Sequence, residues 1–361
     1  MRVLGLMSGT SMDGVDAALV ETDGETVAGF GRTAFRPYAA AERAAIRAAL
    51  GAWPGDPAVA AAEDAVRRAH AALIAGFPEA DAVGFHGQTL AHEPAGRGTH
   101  QTGRGDLLAA ETGRTIVWDF RSADVASGGE GAPLVPFFHF ALARRIGADA
   151  PVAFLNIGGV ANVTWVDPRA PAPEAPGALL AFDTGPGNAL IDDFLRARLG
   201  RPFDDRGAIA AQGRADDGIL AALARHPYLA RTPPKSLDRL DFHPLLEAVA
   251  PLSTEDGAAT LAAVTAACVA AAARHLPEPP ARWLLCGGGR LNATLAGMIG
   301  ATTNAPVDPV EAVGLDGDML EAQAFAFLAA RVLRGLPTSA PATTGARMPV
   351  CGGRVSRPGP A

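Results

Sequence analysis

The chain has 361 residues, 48% of them hydrophobic and 19% charged, with a formal net charge of −7 at pH 7. Its length exceeds one compact core at roughly 100–200 residues per domain, so two domains are expected. No basic stripe is visible and the Arg residues are scattered among acids, which excludes a nucleic-acid partner, because phosphate-backbone binding needs clustered cations. The 42 Gly and 29 Pro residues punctuate apolar runs and read as turns and ligand loops. Cys268, Cys286 and Cys351 include no C-x-x-C pair and support neither a disulfide framework nor a zinc site. Asp13 and Asp16 end any signal-peptide reading of the short apolar start. Gly257 to Ala273 is mostly Ala, lies between Asp256 and Arg274, and reads as a buried helix, not a membrane span. A cytoplasmic enzyme with no membrane partner is the expectation.

In chain order, Val3 to Met7 and Val15 to Val20 read as two strands joined by the loop Ser8 to Gly14, with Asp13-Gly14 supplying turn chemistry. Glu25 to Arg36 adds a third antiparallel strand. Helical spacing marks Ala40 to Leu50 and Asp56 to Ile74, the second with Glu63, Arg67 and Arg68 on its wet face. Ala82 to Phe85 and Thr115 to Trp118 are strands, and Leu134 to Ile146 is a helix opening at Pro133. A second strand cluster follows at Val152 to Ile157, Asn162 to Val166 and Leu179 to Phe182. It repeats the opening theme of strand, glycine turn, strand. Helices are expected at Asn188 to Leu199, Asp216 to Arg225 and Asp256 to His275, then a short buried strand at Leu284-Leu285 and a last helix from Asp318 to Leu333. The tail from Pro337 to Ala361 either wraps the surface or is partly disordered. A meander followed by helices, twice in one chain, implies two related α/β domains with a cleft between them.

Three glycine loops could carry chemistry. In Gly9-Thr10-Ser11-Met12-Asp13-Gly14-Val15-Asp16, a tight turn presents backbone N–H groups and hydroxyls. It is either a nest for phosphate oxygens, with Asp13 or Asp16 reaching a metal through water, or a plain hairpin. In Phe182-Asp183-Thr184-Gly185-Pro186-Gly187-Asn188, Asp183 at a strand mouth is placed to take a proton, and Gly185 and Gly187 let backbone approach a triphosphate. The competing reading is a helix cap with its turn glycines. Cys286-Gly287-Gly288-Gly289 follows a buried strand and admits a flat nucleoside, or is a strand-to-helix turn. No P-loop and no dinucleotide fingerprint is present. Among polar strand ends, His86 and Gln88 suit sugar hydroxyls, or His86 is a satisfied structural histidine, and Arg121 can clamp a carboxylate bidentately. Glu321 is an acid beside an apolar helical stripe.

At these loops the sequence resembles the anhydro-N-acetylmuramic acid kinases. The matching blocks are Gly5 to Gly14, Gly84-Phe85-His86-Gly87-Gln88-Thr89, Asp119-Phe120-Arg121-Ser122 and Gly131-Ala132-Pro133-Leu134-Val135-Pro136. They continue through Leu155-Asn156-Ile157-Gly158-Gly159, Asp183 to Asn188, Pro233-Pro234-Lys235-Ser236, Cys286 to Gly289, and Asp316-Gly317-Asp318 through Glu321 to Ala326. The resemblance implies two duplicated actin-like, ribonuclease-H-like domains of the hexokinase-like superfamily. Each would be a mixed sheet with flanking helices, with the active site in the interdomain cleft. The expected division is 1–135 plus 335–361 against 136–334.

The resemblance further implies ATP and Mg²⁺ as cofactors. Gly9 to Asp16, with Gly185, Gly187 and Asn188, would hold the phosphates. Gly287, Gly288 and Gly289 would face the nucleoside, and Asp183 would be the catalytic base. His86, Gln88, Arg121 and Glu321 would contact the sugar, and no side chain would ligate the metal directly. The implied reaction opens 1,6-anhydro-N-acetylmuramic acid with water and phosphorylates it in cell-wall recycling, in a homodimer. Rival readings are a kinase of another anhydrosugar such as levoglucosan, and a nucleotide-regulated actin-like binding protein. The chain departs from the family's usual pattern at Gln101 to Asp106 and at Leu237-Asp238-Arg239, which bears on the sugar pocket or the dimer surface.

Overall fold

A computed structural model describes residues 1–237 and 241–359, so Asp238 and Arg239 lie outside the described residues. The chain forms two compact units, residues 1–145 with 319–361, and residues 146–318.

The first unit opens with an antiparallel meander of β1 (Arg2–Ser8), β2 (Gly14–Thr22) and β3 (Val27–Pro37). β4 (Ala82–Glu93) runs parallel to β1, and β6 (Ile116–Trp118) runs parallel to β4. β5 (Gly98–Thr102) folds back on β4 as a hairpin. Val3, Leu4 and Leu6 are fully buried, as a central strand covered on both faces requires. One face is covered by helix Leu320–Leu333. Gly5 and Gly84 stand side by side on β1 and β4. A Cβ on either would lie 1.8 Å from the Ala322 carbonyl or 2.1 Å from that of Phe325. These paired glycines let the helix backbone rest on the sheet.

The second unit repeats this plan. β7 (Val152–Ile157), β8 (Val160–Val166) and β9 (Leu179–Pro186) form the meander, β10 (Arg282–Cys286) runs parallel to β7, and β11 (Val307–Pro309) parallel to β10. The order β3-β2-β1-β4-β6 in one sheet therefore matches β9-β8-β7-β10-β11 in the other, with the same sense at every pairing. Helix Thr254–Ala273 is the one helix among the described residues long and apolar enough to cross a membrane. It is instead a core element of this unit: Ala258, Ala262, Val264 and Val269 are fully buried.

Four expectations need adjustment. The helix expected at Pro133 starts at Pro136. Val135 precedes a proline and so is biased away from helical geometry, which leaves Pro136 as the first-turn proline. β9 runs past Phe182 to Pro186 because its pairing with β8 continues, so Asp183 lies within the strand. The expected division at 135 and 335 differs from the compact units, because helices Pro136–Arg145 and Leu320–Leu333 pack together in the first unit, with the Phe138 and Phe327 rings 5.5 Å apart. The described part of the tail is ordered. Ser339 bridges Val350, and β12 (Arg354–Ser356) adds an antiparallel edge to β6.

Candidate active site

In the first unit the turn between β1 and β2 exposes Thr10 and Ser11, and a Cβ at Gly9 would be in ordinary contact with the Ser11 hydroxyl at 3.7 Å. Met12 adopts a left-handed φ of 55° and buries its side chain in the core beside Val15, so both can offer a ligand only backbone. The Asp13 carboxylate folds back onto the turn, accepting from the Ser11 hydroxyl at 2.7 Å and the Gly14 N–H at 3.0 Å. Beneath it lies a buried brace. Gln88, fully buried, accepts from the Ser8 hydroxyl and donates from Nε2 to the Gly9 carbonyl at 3.2 Å. With its proton so committed, the Ser8 hydroxyl accepts from Tyr38, whose hydroxyl burial pushes up to about 12. The Gln88 side chain is thus engaged in holding the turn.

His86 and Arg121 form one polar unit. The His86 Nδ1 contacts its neighbour's carbonyl at 2.9 Å and so carries the proton, while Nε2 accepts from the Arg121 guanidinium at 3.0 and 3.2 Å. Burial, then the Arg121 charge, hold His86 well below the usual histidine range, so it is neutral. Desolvation draws Arg121 down to about 10, which leaves it charged at neutral pH. Its third contact is the Gly131 carbonyl at 2.7 Å, and N–H donors remain for a carboxylate. The Gly131 loop is held by Asp124, which takes the Gly131 N–H at 2.7 Å and the hydroxyls of Ser339 and Thr344 from the tail. Glu321 is solvent-exposed, yet its carboxyl lies above the ordinary range through desolvation, with the Arg121 charge opposing.

In the second unit Asp183 sits on β9, the edge strand, opposite Asn162 and next to a register shift. Its carboxylate accepts from the Leu237 N–H at 2.9 Å. Burial pushes it up to about 6, against that hydrogen bond. A carboxylate poised there is still largely ionised at neutral pH and accepts a proton more readily than an ordinary Asp.

The glycines nearby divide by what surrounds them. A Cβ at Gly185 would meet Cys268 at 2.6 Å, at Gly187 the Gly158 carbonyl at 2.3 Å, and at Gly289 the Ile157 side chain at 2.3 Å. Internal packing therefore requires these three. Gly287 has φ 71° and begins the turn after β10. Gly288 is the open one, its nearest neighbour being the Asn188 amide at 3.9 Å. Asn188 ties the loop after β9 to the end of β7 by donating to the Ile157 carbonyl at 3.2 Å. Arg290 braces the glycine turn, bonding Glu311 at 2.7 Å, Asp318 at 2.8 Å and the Gly287 carbonyl at 3.2 Å.

Among the described residues no group of three or more His, Cys, Asp or Glu side chains could cage a metal. Magnesium keeps several waters and leans on one or two carboxylates plus substrate phosphates. The exposed Asp13 and half-buried Asp16 at the first turn fit that mode.

Sequence pattern alone marks no site role for Tyr38, Tyr228, Lys235, Asp124 or Arg290. Each acts through partners far along the chain, which local pattern does not reveal. The Pro233 to Ser236 block contains Lys235, and other matching blocks lie beside Asp124 and Arg290.

Two sheets of identical order, a hydroxyl-bearing turn in one unit and a carboxylate on an edge strand of the other make this an α/β protein of two like-built units. The model of the anhydro-N-acetylmuramic acid kinase family matches residues 1–357. Relatives named anhydro-N-acetylmuramic acid kinase are 63% identical in Cereibacter sphaeroides (98% of this chain, 96% of the relative) and 57% identical in Ruegeria sp. (99% and 95%). The chain belongs to the anhydro-N-acetylmuramic acid kinase family. Among solved structures, a ROK family glucokinase from Streptomyces griseus in complex with glucose and AMPPNP shares 15% identity at a TM-score of 0.42, covering 92% of this chain and 99% of that one.

Proposed function

We propose that this protein phosphorylates 1,6-anhydro-N-acetylmuramic acid with ATP while water opens the anhydro ring, giving N-acetylmuramic acid 6-phosphate and ADP in cell-wall recycling. The observation that carries the mechanism is Asp183, a carboxyl that burial pushes up to about 6 and that, among the described residues, accepts the Leu237 N–H. Asp183 takes a proton from water, whose oxygen attacks the anomeric carbon. The bond from that carbon to the bridging oxygen breaks, and this oxygen attacks the γ-phosphorus as the bond to ADP breaks. One base suffices because the leaving oxygen is itself the phosphoryl acceptor.

Gly9 to Asp16 receive the phosphates through backbone and hydroxyl donors, together with the loop of Gly185, Gly187 and Asn188. Asp13 or Asp16 would hold, through water, a magnesium ion arriving with ATP, which would neutralise phosphate charge. Gly288, flanked by Gly287 and Gly289, offers open backbone to the nucleoside. Arg121 pairs with the lactyl carboxylate, which levoglucosan lacks, and Glu321 and His86 face the sugar side. Each unit is an evolutionary copy of the other and serves as one domain of a cytoplasmic homodimer.

The test is ADP release with 1,6-anhydro-N-acetylmuramic acid, ATP and Mg²⁺, run beside levoglucosan, with the product weighed by mass spectrometry. The expected product is heavier by one phosphoryl group and one water and forms from the muramic sugar. Turnover of levoglucosan alone would reassign the substrate, and turnover of neither would end the kinase reading.

A further inference from the structure

β9 is an edge strand, and an irregular segment covers its outer side. The Asp183 N–H donates to the Lys235 carbonyl at 3.0 Å. The Tyr228 hydroxyl donates to the Asp183 carbonyl at 2.7 Å, and the Leu237 N–H donates to the Asp183 carboxylate at 2.9 Å. A fourth bond closes the segment on itself: the Lys235 ammonium donates to the Tyr228 carbonyl at 3.1 Å. The clasp from 228 to 237 therefore grips one residue at its N–H, its carbonyl and its side chain.

Lys235 is unusual in this setting. It is 7% exposed, and among the described residues its ammonium has no carboxylate partner. It lies 4.6 Å from the centroid of the Tyr228 ring and 5.7 Å from that of Phe182, the residue before Asp183. Burying an ammonium against one carbonyl and two aromatic faces is costly unless the position needs it. An apolar side chain would fill the same space more cheaply.

We propose that Tyr228 and Lys235 are positioning residues that hold the Asp183 carboxylate in reach of the Leu237 N–H, with Lys235 pinning the clasp shut. This rests on the reading of Asp183 as the base. The groups facing the clasp are Arg231 and Asp241 beside Tyr228, His226, whose ring accepts the Tyr228 N–H at 3.3 Å, the Cys268 thiol beneath Gly185, and His275, edge-on to Phe182. Among the described residues none of them hydrogen-bonds the Asp183 carboxylate, so the Leu237 N–H is the contact that favours its ionised form. Loosening the clasp weakens that contact and raises the pH at which the base is lost.

The test compares Lys235→Met, which keeps the stem and loses the ammonium, with Tyr228→Phe and Lys235→Arg. The acid limb of kcat/KM is expected to move up by roughly one pH unit in Lys235→Met and Tyr228→Phe, and to return toward the parent in Lys235→Arg, which keeps a donor. Carbon-detected NMR of the Asp183 carboxyl, assigned by its loss in Asp183→Asn, should show the same upward shift in protein without substrate. An unmoved carboxyl titration in a folded variant overturns the clasp, and Tyr228→Phe decides if Lys235→Met does not fold. The carboxyl readout needs no turnover, so a parent protein inactive on every sugar would sink the kinase reading and leave the clasp to be judged separately.

Discussion

The two sheets share strand order and pairing, yet they use the same place for different ends. In the first, Gly14 pairs with Pro37 and, two steps along, Asp16 pairs with Phe35. In the second, Val160 pairs with Pro186 and Asn162 pairs with Asp183, after a register shift passes over Thr184. Phe35 and Asp183 are thus counterparts, one a half-exposed aromatic ring and the other a largely buried acid. A bulge re-aims one residue and breaks local pairing, and here a segment from elsewhere takes the backbone bonds of Asp183. The turns differ in the opposite sense. The first is rich in hydroxyls and braced by Gln88 and Tyr38, whereas the second is the glycine pair Gly158-Gly159, fitted against Gly187. The scaffold fixes where groups stand, and the additions to each sheet decide what they do.

Substitutions can sharpen that contrast, beginning with the largest effect. Asp183→Asn should lower turnover by roughly a thousandfold or more, toward the upper range for a lost base, while nucleotide binding by calorimetry stays near the parent. The same variant should melt no lower than the parent at pH 8. The raised Asp183 contributes stability that is present below about pH 4 and is lost as pH rises through about 6, and an amide does not pay that charge burial.

Next is Arg121→Lys, which keeps a charge and loses the planar fork. The KM for the muramic sugar should rise roughly ten- to a hundredfold, the worth of a hydrogen-bonded charge pair, with little change in KM for ATP. An unaltered sugar KM would remove Arg121 from substrate recognition.

The smallest effect concerns the brace of the first turn. Gln88→Leu removes the acceptor of the buried Ser8 hydroxyl and one of two donors to the Gly9 carbonyl, and costs about 1–3 kcal/mol of unfolding free energy in denaturant titration, with a raised KM for ATP. Lost stability with an unchanged ATP KM would make Gln88 a core residue only.

Much of this was legible in the sequence because the meanders are apolar runs broken by glycine turns, and the loops after them are rich in Gly, Ser, Thr and Asp. The strand β5, Gly-Thr-His-Gln-Thr, was not, since it has no apolar alternation and exists through its pairing with β4. The early end expected for β9 reflects the polar run from Asp183 onward, which pairs by backbone and not by hydrophobic pattern. Residue type pointed to His86 and Arg121 separately, but their mutual bond spans 35 positions and no local period encodes it. The clasp over Asp183 was hidden for the same reason, as was the hold of the tail on Asp124. Glycines that look alike in the motifs differ in their surroundings. Gly185, Gly187 and Gly289 are required by internal packing, whereas a Cβ at Gly9 or Gly288 would meet its nearest neighbour at an ordinary contact distance of 3.7 or 3.9 Å.

The measurement that tests the central claim most directly is the pH dependence of kcat/KM for the muramic sugar between pH 4.5 and pH 8. With Asp183 as a base near pH 6, activity should fall about tenfold from its plateau by pH 5, with a slope of one. Activity that holds its plateau down to pH 4.5 would contradict it, because no base with the character of Asp183 could then be carrying the reaction.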